Sequence, residues 1–125
     1  MEHEPTKGLY GWITHTEFAV TDPEALRTWC EKVLGWQFMP SFPTPNGDYH
    51  LFAYAKEGGG GIRQTNPGET PGILSFVHVE NTQESFDAAI REGAEAVAGP
   101  ERVMEGVTTA IVRAPGGVLI GFSGP

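Results

Sequence analysis

The sequence has very little cysteine. Cys30 is the only one in 125 residues, so no disulfide can form within the chain. Its position in an apolar helical stripe predicts a buried hydrophobic side chain and not a nucleophile. A single buried thiol of this kind is compatible with a reducing compartment.

Long apolar runs are absent as well. No segment approaches the roughly 18 consecutive apolar residues that a membrane span requires. The polar start, MEHEPTKG, has neither the charged nor the apolar region of a secretory signal peptide. We therefore expect a soluble, cytoplasmic protein with no membrane partner.

Basic residues are scarce. The chain has 8 Lys and Arg against 16 Asp and Glu, which gives a formal net charge of −8 at pH 7. Nucleic-acid binding needs clustered Lys and Arg to neutralise phosphates, so we expect no nucleic-acid partner. The negative surface favours cationic ligands, through weak long-range steering.

The most informative stretch runs from Ile13 to Trp36 and predicts a strand, a turn and a helix. Asp22 is placed to cap the helix, and Pro23 follows at the first helical position, where no backbone N–H is needed. Gly35 can adopt the left-handed conformation that ends a helix. The predicted buried stripe of the helix consists of Leu26, Trp29, Cys30, Val33 and Leu34.

The strand in this stretch has two different faces. Side chains alternate along a strand, so if Phe18 and Val20 lie under the helix, His15 and Glu17 lie on the opposite face. Two ionisable residues therefore share the face that the helix does not cover. Functional residues are expected on that face.

The rest of the first half is predicted to form three strands, with a turn at residues 42–47 that contains two prolines and Asn46-Gly47. The strands are predicted at 35–41, 48–55 and 61–65. The glycine run at 58–61 lacks the Lys-Ser/Thr and the helix of a phosphate-binding loop. We interpret it as a flexible turn or as a place of close backbone approach.

The second half repeats the first at an offset of about sixty residues. A strand at 73–79 precedes a helix with a capping-box start at Asn81 and Glu84, and strands follow at 95–104, 107–114 and 118–123. We predict an α+β fold in which two βαβββ modules form a curved mixed sheet with a concave cavity. The boundaries are a lead at 1–12, modules at 13–65 and 73–123, and a linker at 66–72, within one domain.

Several motifs resemble those of the vicinal oxygen chelate superfamily, which contains glyoxalase I, bleomycin-resistance proteins and extradiol dioxygenases. They are His15 followed by Val20 and Asp22, the run from Val33 to Trp36, and the turn at Pro115, Gly116 and Gly117 before the last strand. The resemblance covers residues 13–123. It implies the predicted fold, a small-molecule ligand and a homodimer, in which residues 66–72 are a place for module exchange.

The resemblance also implies four metal-ligand positions. The first falls on His15, a proper ligand, and the second falls near Ile62 to Gln64, where only Gln64 has a side-chain oxygen. The third and fourth fall on Leu74 and Gly121, which have no donor atom. A catalytic metal needs about three protein ligands and an open position, so we expect no metal cofactor. A divalent Zn, Ni, Mn or Fe bound in another way is the alternative.

The candidate catalytic residues are Glu17 and His15, because a carboxylate beside an imidazole can form an acid/base pair. His78, on the corresponding strand of the second half, is predicted to converge with them. Each of these residues also has an ordinary structural interpretation, as a satisfied core histidine or an ion-paired carboxylate. The predicted substrate-binding residues are His15, Glu17, Trp36, Gln64, Phe76, His78 and Leu119.

Other residues are also candidates for the same cavity. Phe38, Tyr49 and Leu51 are candidates to line it, although each also fits a core. Arg63 and Arg113 are candidate anion anchors, with strand-edge salt bridges as the favoured alternative.

Three functions remain open from the sequence. The favoured one is a metal-independent protein that binds a small organic molecule, as in drug resistance or sequestration. The second is a lyase or isomerase that uses Glu17 or His15 as general base, and dioxygenase activity is not expected. The third is a dimeric structural module with a filled cavity.

Overall fold

In the computed structural model, residues 8–125 are described, so residues 1–7 of the predicted lead lie outside the described part. Within the described residues, the chain divides into two compact units, one formed by His15–Ile73 and the other by residues 8–14 together with Leu74–Pro125. The described end of the lead belongs to the second unit. There the backbone N–H of Gly11 donates to the His78 carbonyl at 2.8 Å, and the His78 N–H donates to the Trp12 carbonyl at 2.7 Å.

The first unit contains five strands and one helix. The strands are β1 (Ile13–Val20, which begins just before the unit), β2 (Gln37–Phe38), β3 (Phe42–Thr44), β4 (Gly47–Ala55) and β5 (Gly58–Gln64). β5 pairs in parallel with β1 and antiparallel with β4, and β4 also pairs with β2 and β3. The predicted turn at 42–47 is therefore partly wrong, because Phe42–Thr44 pairs with β4 and only Pro45 and Asn46 connect the two strands.

The helix of this unit, α1 (Pro23–Trp29), continues as a π-helical turn over Cys30–Leu34. Its ends are as predicted: Asp22 accepts a hydrogen bond from the Ala25 N–H at 3.1 Å, and Gly35 has φ of 71°. The predicted buried stripe is only partly correct. Cys30 is buried, but Trp29 and Val33 are 51% and 58% exposed. The π-helical turn changes the angular spacing of side chains from Cys30 onwards, so Val33 no longer faces the direction calculated for an α-helix; Trp29 precedes that turn, and its exposure is not explained by it.

The glycine run is part of β5 and not a flexible turn. Lys56 and Glu57 form the turn that precedes it. A Cβ atom at Gly59 would collide with the Phe52 carbonyl oxygen, and one at Gly60 would collide with the Thr16 carbonyl oxygen. Of the two predicted roles for the run, close backbone approach is the one that the structure supports.

The second unit repeats the pattern with β6 (Gly72–His78, which begins at the unit boundary), α2 (Thr82–Arg91), β7 (Glu95–Met104), β8 (Val107–Arg113) and β9 (Leu119–Gly124). β6 and β9 are parallel, and β9, β8 and β7 pair antiparallel in that order. The Asn81 side chain caps α2 by accepting from the Glu84 N–H at 2.9 Å. The predicted α+β class with two related modules and mixed strand pairing is confirmed.

Apolar helices of membrane-spanning length do not occur among the described residues.

Candidate functional site

The side chains of the first unit divide between two faces of its strands. Phe18, Phe52 and Ile62 pack with Cys30, the first residue of the π-helical turn after α1, on the helix side. Because strand side chains alternate, His15 and Glu17 of β1, Tyr49 of β4 and Arg63 of β5 lie on the opposite side. Contacts among these four side chains confirm that they share a face.

A shared hydroxyl group connects β1 to β4. The Tyr49 hydroxyl donates to Glu17 Oε1 at 3.0 Å, and its oxygen lies 3.1 Å from His15 Nε2. A tyrosine has a single O–H to donate. Since that proton points to Glu17, His15 Nε2 carries the hydrogen that is donated to Tyr49, which selects the Nε2–H tautomer of the imidazole.

Arg63 continues this network from β5. Its Nε donates to Glu17 Oε2 at 2.9 Å, so both oxygens of Glu17 have a partner. Its Nη1 and Nη2 donate to Oε1 and Oε2 of Glu69 at 2.8 and 2.7 Å, which is a bidentate ion pair. Glu69 Oε1 also accepts from the Asn66 N–H at 2.8 Å. We call these residues, His15, Tyr49, Glu17, Arg63 and Glu69, the polar network.

The charges in the polar network follow from burial and pairing. Burial lowers the pKa of His15, and the nearby Glu17 carboxylate only partly offsets this, so the imidazole is neutral at pH 7. Burial, together with Glu17, raises the pKa of Tyr49, which stays protonated. Hydrogen bonds from Arg63 and from the Asn66 backbone lower the pKa of Glu69 to about 2. Hydrogen bonding to Glu69 is the largest cause that raises the pKa of Arg63.

Trp36 and Gln64, predicted to bind substrate, lie on the other face of the strands. Trp36 stacks on Phe52 with ring centroids 4.3 Å apart, within the apolar cluster under α1. Gln64 follows Ile62 by two residues on β5, and its amide donates to the Thr21 carbonyl at 3.3 Å. Neither side chain joins the polar network, so the structure does not bring them to His15 and Glu17.

The remaining predicted residues belong to the second unit. The His78 ring stacks on Tyr10 with a centroid distance of 5.5 Å. Phe76 is buried, its ring covers Gly121 of β9, and Leu119 is 38% exposed. The predicted convergence of His78 with His15 stays a prediction.

Two participants in the polar network were missed or undervalued from the sequence. The sequence predicts Tyr49 only as an apolar lining residue, although its spacing of two from Leu51 places it on the face opposite His50. Glu69 lies in the glycine- and proline-rich segment 66–72, where no periodic pattern assigns a direction to a side chain. Its proximity to Arg63 depends on the turn at Asn66, where the Glu69 N–H donates to the Asn66 carbonyl at 2.9 Å.

A separate polar cluster lies under α1. The buried His50 imidazole contacts Glu24 Oε2 at 3.2 Å through Nε2, and Ser41 Oγ and Arg27 Nη1 at 2.5 and 3.2 Å through Nδ1. These contacts satisfy a buried imidazole and tie α1 to β4. His50 and Glu24 also line a groove of about 280 Å³ at the start of α1.

A larger groove, of about 570 Å³, runs along α2 and includes Glu84 and Arg91. Neither groove contains a residue of the polar network. We assign the candidate site by the network and not by groove size, because convergent, partly buried polar groups carry the chemistry.

The fold and the motifs agree with the comparison to protein families. A model of the Glyoxalase/Bleomycin resistance protein/Dioxygenase superfamily matches residues 12–122. The chain belongs to this superfamily. No curated protein has a significant match to the sequence.

Solved structures show the same superfamily fold. Methylmalonyl-CoA epimerase from Mycobacterium tuberculosis aligns with a TM-score of 0.73 and 17% identity, over 95% of this chain and 91% of that one. A hypothetical protein from Bacillus halodurans C-125 aligns with a TM-score of 0.73 and 15% identity, over 90% and 92%. A Streptomyces coelicolor methylmalonyl-CoA epimerase variant in complex with 2-nitronate-propionyl-CoA has a TM-score of 0.69 and 12% identity, over 91% and 94%. At these identities the likeness establishes the fold alone.

The superfamily's metal positions can be tested against the donors of this chain. Gln64 lies on the α1 face of β5, Leu74 has no donor atom, and the space for a side chain at Gly121 is filled by the Phe76 ring. Within residues 8–125 no three His, Cys, Asp or Glu side chains form a cluster that could hold a metal ion. The residues at these positions therefore do not fit a superfamily metal site.

Proposed function

We propose that this protein binds a small organic molecule at the polar network, without a metal at the superfamily positions. The observation that carries this proposal is the convergence of His15, Glu17, Tyr49 and Arg63 from three strands on one face. Polar groups that converge on a partly buried surface are typical of ligand sites in which a few groups fix orientation. Glu17 and Arg63 remain 18% and 27% exposed, so a ligand can reach them.

Glu17 fits the role of an anchor better than that of a base. Tyr49 and Arg63 each donate a hydrogen bond to one of its oxygens, so both oxygens already accept from a neighbouring side chain. Glu17 therefore accepts hydrogen bonds and orients its neighbours, whereas the sequence alone ranked it with His15 as a candidate base.

An isomerase or lyase is the second candidate, and the state of His15 favours it. A neutral imidazole at pH 7 can accept a proton, and proton abstraction beside a carbonyl is a reaction that such a base supports. The epimerases with this fold are consistent with isomerase chemistry. As an isomerase or lyase, the protein would use His15 as the base and act on a small carbonyl compound. Tyr49, itself held by Glu17, would position His15.

The binding proposal is tested by ligand-observed NMR with a panel of small aromatic, cationic and anionic compounds, followed by titration of any that bind. We expect His15→Ala and Glu17→Gln each to weaken binding by about tenfold, the effect of losing a hydrogen bond to a charged or buried partner. Glu57→Gln, in the exposed turn before β5, is the control and leaves the affinity unchanged. Equal affinities in all four proteins would refute the assignment of the site.

Isomerase activity is tested separately by exchange. The protein is incubated in D₂O with small carbonyl compounds that carry an acidic C–H bond, and deuterium incorporation is followed by NMR. An enzyme shows exchange that is lost in His15→Ala and rises with pH through the lowered pKa of His15. Binding without exchange selects the sequestering protein.

Metal analysis tests the other part of the proposal. Protein purified without added metal is analysed for Ni, Zn, Mn and Fe and then titrated with each. We expect no stoichiometric metal, and tight binding that is lost in His15→Ala would overturn the metal-free proposal. The homodimer and the cytoplasmic location stay predictions from the sequence, and sedimentation analysis tests the first of them.

A further inference from the structure

The Arg63 guanidinium makes an unusual combination of contacts. Its Nε side is held by Glu17, which belongs to β1, whereas its Nη1 and Nη2 side is held by Glu69, which belongs to the segment after β5. The two N–H groups on this second side point in parallel at two carboxylate oxygens. This is the geometry in which arginine recognises a carboxylate group of a ligand.

We propose that Arg63 is a carboxylate-recognition residue and that Glu69 occupies its binding edge in the absence of ligand. The ligand class is a small organic carboxylate, whose carboxylate displaces that of Glu69. The inference rests on the proposed function, because Arg63 belongs to the polar network at which that function places the ligand. It names the chemical class that the proposed function leaves open.

The contacts explain why Glu69 can exchange while Arg63 stays in place. Glu69 follows a proline-glycine turn outside the sheet, and its side chain is 29% exposed, so it can turn into solvent without disturbing a strand. Arg63 is held independently by Glu17 and by its contact with the Gln64 carbonyl at 3.1 Å. The guanidinium therefore remains oriented when its Nη edge is vacated, which reduces the entropy cost of binding a second carboxylate.

Charge balance favours a carboxylate over other ligands at this edge. Replacing the Glu69 carboxylate by a ligand carboxylate keeps the partner of Arg63 negative, whereas a neutral group would leave the guanidinium with a weaker partner. The net charge of −8 disfavours anions at long range, but local fork geometry and not long-range steering decides recognition at contact. The preference for cationic ligands expected from the total charge does not apply to this edge.

The tethered Glu69 carboxylate is also expected to lower the apparent affinity for a ligand carboxylate. A carboxylate tethered six residues from Arg63 competes as an intramolecular ligand, and tethered groups act at effective concentrations of about the millimolar range. Its removal is therefore expected to strengthen the binding of a carboxylate and not of a neutral isostere. A gain in affinity for a carboxylate probe but not for its neutral isostere would distinguish this proposal from a general change in the site.

The experiment titrates benzoate and benzamide into the wild type, Glu69→Gln and Glu57→Gln, with NMR detection of the Arg63 Nε–H signal and of the backbone. In Glu69→Gln we expect benzoate to bind about tenfold more tightly, as for removal of a charge-assisted competitor, and benzamide to change less than twofold. Glu57→Gln removes the same charge from an exposed turn and is expected to leave both affinities unchanged. The double variant Glu69→Gln with Arg63→Lys is expected to lose the gain, because lysine retains the charge but not the fork.

The outcomes distinguish this inference from the proposed function. An equal gain for benzamide, or the same gain in Glu57→Gln, overturns carboxylate recognition while the site assignment remains supported by ligand binding there. A gain that survives Arg63→Lys overturns the role of the guanidinium fork. If neither probe binds to any variant, this inference is rejected, and the proposed function is then judged by the compound panel and the His15 and Glu17 variants.

Discussion

At the scale of single residues, the Tyr49 hydroxyl determines the chemistry of the candidate site. The hydroxyl donates its proton to Glu17, so its oxygen accepts a hydrogen bond from His15. One hydroxyl thereby selects the tautomer of the imidazole and fixes one oxygen of the carboxylate. Without Tyr49, His15 Nε2 and Glu17 Oε1 would each lose this hydrogen bond.

The pKa of His15 provides a test at this scale. Burial lowers it below the usual 6.5 and Glu17 raises it in part, so Glu17→Gln is expected to lower it further. Removing a carboxylate near an imidazole removes a stabiliser of the protonated form. The measurement is an NMR pH titration of the His15 ring signals in the wild type and in the variant.

The sign of this effect is decisive. Because the pKa of His15 is lower in the folded state, the unfolded chain binds the proton more readily. The free energy of unfolding is therefore expected to decrease as the pH falls below 6.5. Glu57→Gln serves as a charge control and should leave the His15 titration unchanged. A His15 pKa that rises in Glu17→Gln would show that Glu17 does not act on the imidazole as the geometry requires.

Among the secondary-structure elements, β5 packs closely against β4 on one side and β1 on the other. Its glycines allow the β4 and β1 backbones to approach, and at Gly61 the space for a side chain is filled by the Tyr49 ring. The ring that supplies the bridging hydroxyl therefore lies directly on β5. A glycine at position 61 is a structural requirement of the polar network.

Gly61→Ala is expected to displace the Tyr49 ring and to lower the free energy of unfolding by about 1–3 kcal/mol, the usual cost of overpacking. Urea unfolding measures the loss, and the His15 titration reports the broken contact with Tyr49. The matched control is Gly72→Ala, because a Cβ there meets only the Thr70 carbonyl oxygen at 3.9 Å. If Gly61→Ala is as stable as Gly72→Ala, the packing of the ring on β5 is incorrect.

Gly61→Ala can also be combined with Tyr49→Ala. The added methyl group then has no ring to meet, so the double variant is expected to lose less stability than the sum of the two single variants. A non-additive result of this kind identifies a direct contact. Strict additivity would contradict it.

At the scale of the whole molecule, the polar network connects stability to pH. Pairing with Arg63 lowers the pKa of Glu69 from 4.5 to about 2. For a carboxyl group with a lowered pKa, the stabilising contribution is complete above the unfolded-state value, here about 4.5, and is lost as the pH falls towards 2. The contact between Arg63 and the segment after β5 is thus expected to weaken in acid.

Glu69→Gln tests this contribution. At pH 7 we expect the free energy of unfolding of the variant to be about 1 kcal/mol lower than that of the wild type. The loss is small because the ion pair is partly exposed. The difference should shrink between pH 4.5 and pH 2, where the wild-type carboxyl becomes protonated. Urea unfolding at a series of pH values measures it, and a difference that stays constant from pH 7 to pH 3 would contradict the pairing.

The features of this fold that could be predicted from the sequence are mainly local ones. The capped start of α1, the end of the helical segment at Gly35, the capping of α2 and the alternation that separates His15 and Glu17 from Phe18 and Val20 were all predicted. Each of these features depends on interactions within a few residues, such as a side chain that accepts a nearby N–H. The repetition of the pattern then indicated the superfamily and its α+β fold.

The tertiary structure alone decided which side chains meet. Glu17 is 32 residues from Tyr49 and 46 from Arg63, so their contacts depend on strand register and not on spacing in the chain. The same register turned the glycine run into a strand and placed Gln64 away from the polar network. The physical reason is that hydrogen bonding between strands aligns residues from distant parts of the chain, and no local pattern encodes that alignment.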